Sequence, residues 1–405
     1  MTGQVVVVGA SLAGASAVQA LREHGYDGHV VLVGDEAERP YERPPLSKGY
    51  LLGDDERDSA FVHPAGWYDE HDVELRLATE VTAVDRAAHQ VVTASGERLG
   101  YEQLLLATGS SPRRLDVPGA GLEGVHYLRR LADSDRLREA FASAGRVVIV
   151  GAGWIGLETA AAARAAGLEV TLLEGAPLPL LRVLGPEVAT VFAHLHRAHG
   201  VDLRLGVTVA ELTGRDGVVT GVRLGDGTVV PSDLVVVGVG IAPNDLLARE
   251  SGLAVGNGIT VDQWLRTSDP DVFAAGDVAD AYHPTLGRHI RVEHWANARR
   301  QGAAAAASML GGTAVYDRLL YFFSDQYDLG MEYTGWVEPG GYDAVVLRGD
   351  PASGRFLAFW LSGGRVLAGM NVNVWDVAAD IEALVRSKAT VDIDVLADPG
   401  VPLGV

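Results

Sequence analysis

The chain has 405 residues, a formal net charge of −20 and no cysteine. Its length allows two or three domains with cores of their own, and its acidity disfavours nucleic acid and membrane surfaces as partners. The missing thiols exclude disulfide frameworks, zinc–thiolate sites, Cys-held iron–sulfur clusters and any redox-active dithiol, while no run nears the ~20 apolar residues of a membrane span and a start without a basic-then-apolar leader points to the cytoplasm.

The first 48 residues read as strand, glycine turn, helix, strand, acid and a Pro-rich loop. Val5, Val6, Val7 and Val8 are a short β-branched run, the pattern of a buried parallel strand. Gly9, Ser11 and Gly14 mark a G-x-S-x-x-G turn that opens a helix with Leu12, Ala15, Val18 and Leu21 on one face. A second strand, 30–33, leads to Asp35, close to the ~20 residues expected between the turn and a ribose-binding acid. This is a dinucleotide site: pyrophosphate against free N–H groups at a helix start, and a carboxylate for a ribose hydroxyl. Serine replaces the middle glycine, the next smallest choice. Among 33 basic residues only Lys48 and Lys388 are lysines, so a compact ammonium stands out in the loop after this unit.

Short strands follow at 81–84, 90–93 and 100–101, then a buried strand at 104–107 running into Thr108 and Gly109, where the chain leaves the sheet. After a helix at 136–144 the opening pattern returns. A strand at 147–150 meets an intact G-x-G-x-x-G at Gly151, Gly153 and Gly156, followed by a helix, a strand and Glu174. Glu174 suits a free 2′-hydroxyl, and the residues directly after it supply no arginine for a 2′-phosphate. That favours NADH over NADPH, with Arg182 the nearest cation.

A helix is expected at 186–200, a hairpin around 225–227, a buried strand at 234–239 ending at Gly240, a short strand ending at Gly276 and Asp277, and a helix at 299–310. From 315 onward apolar and polar residues alternate, giving antiparallel strands and a closing helix at 376–388. His194, His196 and His199 have helical spacing but read as surface or core residues, and no metal site is expected.

Two dinucleotide sites in one chain imply electron transfer between two dinucleotides. One supplies a hydride, and a flavin fits the other because it takes two electrons and releases them singly. The motifs 9–14, 43–48 (R-P-P-L-S-K), 107–109, 151–158, 275–277, 293–295 and 324–326 (S-D-Q) carry a resemblance over nearly the whole length. On them the chain resembles the FAD-dependent, NADH-using ferredoxin reductases of bacterial P450 and aromatic dioxygenase systems, within the glutathione-reductase-like flavoproteins. The resemblance implies an α/β fold of two Rossmann-like domains plus a C-terminal α+β domain. Residues 1–112 and 241–314 would bind FAD, 113–240 would bind NADH, and 315–405 would form an interface domain.

The same resemblance implies roles. Gly9, Ser11 and Gly14 would cradle the FAD pyrophosphate, with Asp35 on the ribose, Arg43 facing the phosphates and Asp277 on the ribityl chain. Thr108, Gly109, Glu293, His294 and Trp295 would complete the FAD site, with Trp295 near the ring system. Gly151, Gly153, Ile155, Gly156, Glu174, Arg182 and Gly240 would hold NADH. Lys48 would lie at the reacting edge and pair with Glu158. Plainer readings stand beside these: a surface ion pair for Lys48 and Glu158, a helix N-cap for Asp277, a core residue for Trp295. The implied partner is a small iron–sulfur ferredoxin of the [2Fe–2S] kind, met by Arg299, Arg300 and Arg318, and the protein a monomer or weak dimer. A tryptophan often precedes S-D-Q in the family, whereas Phe322 and Phe323 stand here, which leaves the electron exit open. Missing cysteines exclude thiol-dependent relatives. Rubredoxin- or monodehydroascorbate-type reductases, and a protein of the apoptosis-inducing-factor type acting through partner binding, remain as alternatives.

Overall fold

Four valines, Val5–Val8, make the central strand of the first parallel sheet. Each is at most 5% exposed, which is why a β-branched run without alternation folds here. The structure is a computed structural model and describes residues 3–403. It forms two compact units. The first holds the described part of Met1–Arg43 with Arg57–Ser111 and Ile241–Arg318; the second holds Pro44–Glu56, Pro112–Gly240 and the described part of Leu319–Val405.

In the first unit the strand order is Val272–Ala274, Gln103–Leu106, Val5–Val8, Val30–Val33, Val73–Arg76, all parallel. The helix Leu12–Glu23 follows the central strand and packs on the helix Trp295–Met309. Their approach is close enough that a Cβ on Gly302 would strike the Ala13 carbonyl. An antiparallel meander, Val81–Asp85, Gln90–Thr93 and Arg98–Gly100, inserts between strands of this sheet.

The second unit repeats the plan. Its parallel sheet runs Asp202–Leu205, Glu169–Glu174, Arg146–Val150, Leu234–Val237, Val125–His126. The chain after 319 adds a five-stranded antiparallel sheet, ordered Tyr321–Gln326, Leu329–Gly335, Arg365–Val372, Arg355–Ser362, Ala344–Asp350. Both sheets feed one core, in which Leu184 and Phe192 meet Tyr333, Phe356 and Trp360.

Several elements differ from the sequence reading. The helix expected at 186–200 is Leu181–Ala198, bent at Gly185, whose φ is +71°; Pro186 starts only its second half. The Leu184 carbonyl beside the bend accepts the Trp360 indole N–H at 3.0 Å, satisfying a group the bend exposes. The helix expected at 299–310 begins four residues earlier, at Trp295. Residues 44–56, expected with the first domain, pack in the second unit, where the Ser134 hydroxyl donates to the Leu46 carbonyl at 2.9 Å and Tyr50 donates to Asp135 at 2.6 Å. Among the described residues no helix is long and apolar enough to cross a membrane, and none form a cluster suited to a metal ion.

Candidate functional site

Each parallel sheet ends its central strand in the same turn. Gly9 and Gly151 have φ of +121° and +100°, a region open to glycine at little cost. A Cβ on Gly9 would strike the Ala107 carbonyl and one on Gly151 the Gly238 carbonyl; at Gly14 and Gly156 it would strike the carbonyl of the first glycine of the same turn. These four positions are forced by backbone packing. Gly153 is different: a Cβ there would meet no protein atom within 4 Å.

Both following helices, Leu12–Glu23 and Trp154–Ala165, start without a side-chain cap. Their first N–H groups and dipole ends are therefore available to an anion. The open side at Gly153 and these uncapped starts fit the phosphates of a dinucleotide. Glu174, at the end of its strand, accepts the Ala152 N–H at 2.7 Å and the Ala176 N–H at 2.8 Å. The carboxylate is thus fixed beside the second turn, with lone pairs left for ribose hydroxyls. Ile155 is 45% exposed at the helix start, Arg182 is exposed near the start of its helix, and Gly240 accepts the Arg113 N–H at 2.9 Å.

In the first unit Asp35 is exposed just past its strand. Arg43 Nη2 lies 3.4 Å from the Ser11 hydroxyl and 3.5 Å from Glu36 Oε1, which brings a guanidinium to the glycine turn. Thr108 and Asn244 exchange two hydrogen bonds of 2.8 Å, and the Gly109 carbonyl accepts the Asn244 N–H at 2.9 Å. These bonds hold the 108–109 stretch against Asn244. Asp277 follows Gly276, whose N–H donates to buried Gln301 at 2.9 Å; the Asp277 carbonyl accepts Arg291 at 3.1 Å. Arg291 also pairs with Glu293. His294 is the N-cap residue of the helix opened by Trp295, and the Arg299 guanidinium sits over the Trp295 ring at 5.4 Å.

Lys48 and Glu158 meet. Lys48 Nζ is 2.8 Å from Glu158 Oε2, and the Glu158 side chain is 5% exposed against 21% for Lys48. The pair is not an ordinary surface contact, because its carboxylate is buried and has further partners. Ser47 donates to Oε2 at 2.5 Å and Ser324 to Oε1 at 2.7 Å. The Phe323 ring centre lies 5.7 Å from the ammonium. Ser47 and Ser324 escaped the sequence reading as partners. Their signal was their place inside the R-P-P-L-S-K and S-D-Q runs, but Ser47 and Ser324 stand 111 and 166 positions from Glu158.

The model of the pyridine nucleotide-disulphide oxidoreductase family matches residues 3–302, and that of the reductase C-terminal family matches 321–404. The chain is 42% identical to the ferredoxin–NAD(+) reductase component of the anthranilate 1,2-dioxygenase system of Burkholderia cepacia, over 98% of each chain. It is 41% identical to rhodocoxin reductase of Rhodococcus erythropolis, over 91% of this chain and 86% of the relative. The reductase of the covalent putidaredoxin reductase–putidaredoxin complex superposes with a TM-score of 0.95 at 38% identity, covering 99% of this chain and 97% of that one. The chain belongs to the pyridine nucleotide-disulphide oxidoreductase family, in its branch with a reductase C-terminal domain.

Proposed function

We propose that the chain is an NADH-dependent, FAD-containing ferredoxin reductase of the cytoplasm, delivering single electrons to an iron–sulfur ferredoxin that serves a P450 or dioxygenase. The observation that carries this reading is the Lys48–Glu158 pair, set two residues beyond the second glycine turn in a chain with no cysteine. Thiol chemistry is excluded, and the buried, hydrogen-bonded charge pair is a group that can assist a redox step.

FAD, when bound, takes a hydride from NADH and gives up the electrons one at a time. The first turn, with Gly9, Ser11 and Gly14, receives its pyrophosphate together with Arg43. Asp35 serves the ribose, and Asp277, Thr108, Gly109, Glu293, His294 and Trp295 line the rest. The helix opened by Trp295 offers its positive end where reduction places negative charge. Gly151, Gly153, Ile155, Gly156 and Gly240 receive NADH. Glu174 accepts from its ribose and repels a 2′-phosphate, with Arg182 the nearest cation after it in the sequence. Lys48 steadies charge at the reacting end, and Glu158 holds the ammonium in place. Arg299, Arg300 and Arg318, all exposed, give an acidic protein local positive contacts for a ferredoxin. We read residues 1–112 with 241–314 as the FAD domain, 113–240 as the NADH domain and 315–405 as the interface domain, the contacts of 44–56 notwithstanding.

Stopped-flow reduction of the purified protein tests the reading. NADH bleaches the flavin within milliseconds to seconds, NADPH far more slowly, and added ferredoxin makes cytochrome c reduction follow. Protein that purifies colourless and takes up no FAD ends it.

A further inference from the structure

The Glu158 carboxylate is one end of a longer run of buried polar groups. Its Oε1 accepts the Ser324 hydroxyl at 2.7 Å, and Ser324 Oγ is 3.1 Å from Gln326 Nε2. Gln326 Oε1 is 2.9 Å from His196 Nε2, and the Tyr327 hydroxyl is 3.3 Å from His196 Nδ1. The His199 ring stacks on Tyr327 at 3.8 Å, with its Nε2 3.8 Å from the exposed Asp328 carboxylate. Ser324, Gln326 and His196 are each at most 1% exposed. A partner lost in this run is not replaced cheaply by solvent.

The carboxylate sets the direction of every link. It only accepts, so Ser324 must donate to it and must itself accept from the Gln326 amide. That orients the amide with its oxygen toward His196, whose Nε2 must then carry the hydrogen. Nδ1 is left to accept from Tyr327. Burial agrees at both residues: it pushes the His196 imidazole down to about 4 and the Tyr327 phenol up to about 12, leaving both neutral at physiological pH. The run does not conduct protons by simple hopping. An amide accepts on oxygen and donates from nitrogen, so Gln326 passes on polarisation and orientation and keeps its own protons.

Three separate stretches meet on Glu158 in this way: the loop with Ser47 and Lys48, its own helix Trp154–Ala165, and the strand Tyr321–Gln326, which is braced by the helix Leu181–Ala198. We propose that Ser324, Gln326 and His196 are positioning residues for the Lys48–Glu158 pair, a one-way chain of donors that fixes Glu158 in the rotamer facing Lys48 and holds His196 as its Nε2–H tautomer. The inference rests on the reading of that pair as the one serving hydride transfer.

The test uses the FAD-loaded protein. Ser324→Ala is expected to slow flavin reduction by about tenfold at unchanged NADH affinity, the size of one lost hydrogen bond to a charged group. Ser324→Thr, which keeps the hydroxyl, restores the rate to within about twofold. Nitrogen NMR on histidine-labelled protein should show His196 in the Nε2–H form. Glu158→Gln should weaken that preference from a distance, because an amide accepts or donates. Should Lys48→Ala slow reduction while Ser324→Ala leaves it at the wild-type rate, the positioning chain falls and the pair's role stands. Should Lys48→Ala and Glu158→Gln both reduce at the wild-type rate, the underlying reading falls and takes the chain with it. If Ser324→Ala does not fold, the NMR decides: an Nδ1–H or doubly protonated His196 at neutral pH overturns the proposal.

Discussion

The turns at 9–14 and 151–156 share a first glycine of positive φ, glycines whose Cβ would strike backbone, and uncapped helix starts. They part at the residue two past the last glycine. In the first helix it is Ser16, buried where Gly302 of the neighbouring helix closes in. In the second it is Glu158, equally buried but charged, with Lys48, Ser47 and Ser324 upon it. The same local device therefore serves two ends. One copy closes its helix face by small-residue packing. The other spends that face on a charge pair, which suits a reaction.

The most severe way to break the comparison is to fill a shared glycine. In Gly14→Val the added carbons meet the Gly9 carbonyl and Leu32, and the helix can no longer close on its turn. We expect protein without bound flavin, read from its visible spectrum, with stability down by roughly 1–3 kcal/mol. Gly156→Val is expected to keep the yellow colour and lose NADH reduction. If both variants lose flavin equally, the assignment of the two turns to two dinucleotides is wrong.

Acid acts on histidines of both units, His63 in the first and His196 in the second, each pushed down by burial. The folded-state value of His196, about 4, lies below the ordinary ~6.5 of an unfolded chain. The unfolded state therefore takes the proton first as pH falls. Stability from this residue is complete above ~6.5 and is lost as pH drops toward ~4, by up to about 3 kcal/mol. His126, in the same unit, is also pushed down by burial and adds in the same direction. Urea unfolding followed across that range should show the loss, and His196→Gln should flatten it. A slope unchanged by His196→Gln would place the acid sensitivity elsewhere.

Glu158→Gln breaks the difference itself. It keeps the shape and leaves Lys48 facing a neutral amide, so flavin reduction is expected to slow by about 10- to 100-fold, somewhat below the loss of a full oxyanion donor. NADH affinity stays near wild type. A parallel loss of affinity and rate would mean the carboxylate supports the NADH turn instead of the reacting end.

How much of this was legible depended on range. Val5–Val8, the glycines and Glu174 declare themselves because a buried strand, a positive φ and a helix start are local matters, written within a few residues. The pairing of Lys48 with Glu158 came from the family resemblance, and the structure places the atoms together. The contacts of Ser47 and Ser324 with Glu158 and of His196 with Gln326 were not legible, since the partners lie far apart in the chain and a buried histidine looks like any other. The early start at Trp295 was missed because its N-cap residue, His294, gives no Ser, Asp or Pro signal. The early start at Leu181 was missed because Gly185 and Pro186 read as a beginning when they are a bend. Residues 44–56 belong to the second unit, where Leu46 and Leu51 are buried in a way no local pattern announces.

The mildest variant tests the middle position of the glycine motif, Ser11 in one turn and Gly153 in the other. Ser11 and Gly153 are both extended, with φ of −128° and −79°, so the backbone admits a side chain at either. A Cβ on Gly153 would touch no protein atom within 4 Å. Gly153→Ser should therefore leave stability within about 0.5 kcal/mol of wild type. Its cost falls only on whatever must approach the backbone there. We expect KM for NADH to rise by about three- to tenfold, or roughly 1 kcal/mol, with kcat at saturation unchanged. Ser11→Gly gives the first turn the middle glycine of the second and removes the hydroxyl 3.4 Å from the Arg43 guanidinium; flavin retention should fall slightly, by no more than the loss of one long hydrogen bond. Steady-state kinetics and thermal melts of the two variants decide it. A Gly153→Ser protein with normal KM would mean that NADH does not bring its phosphates to this glycine, and the likeness of the two turns would then be one of folding alone.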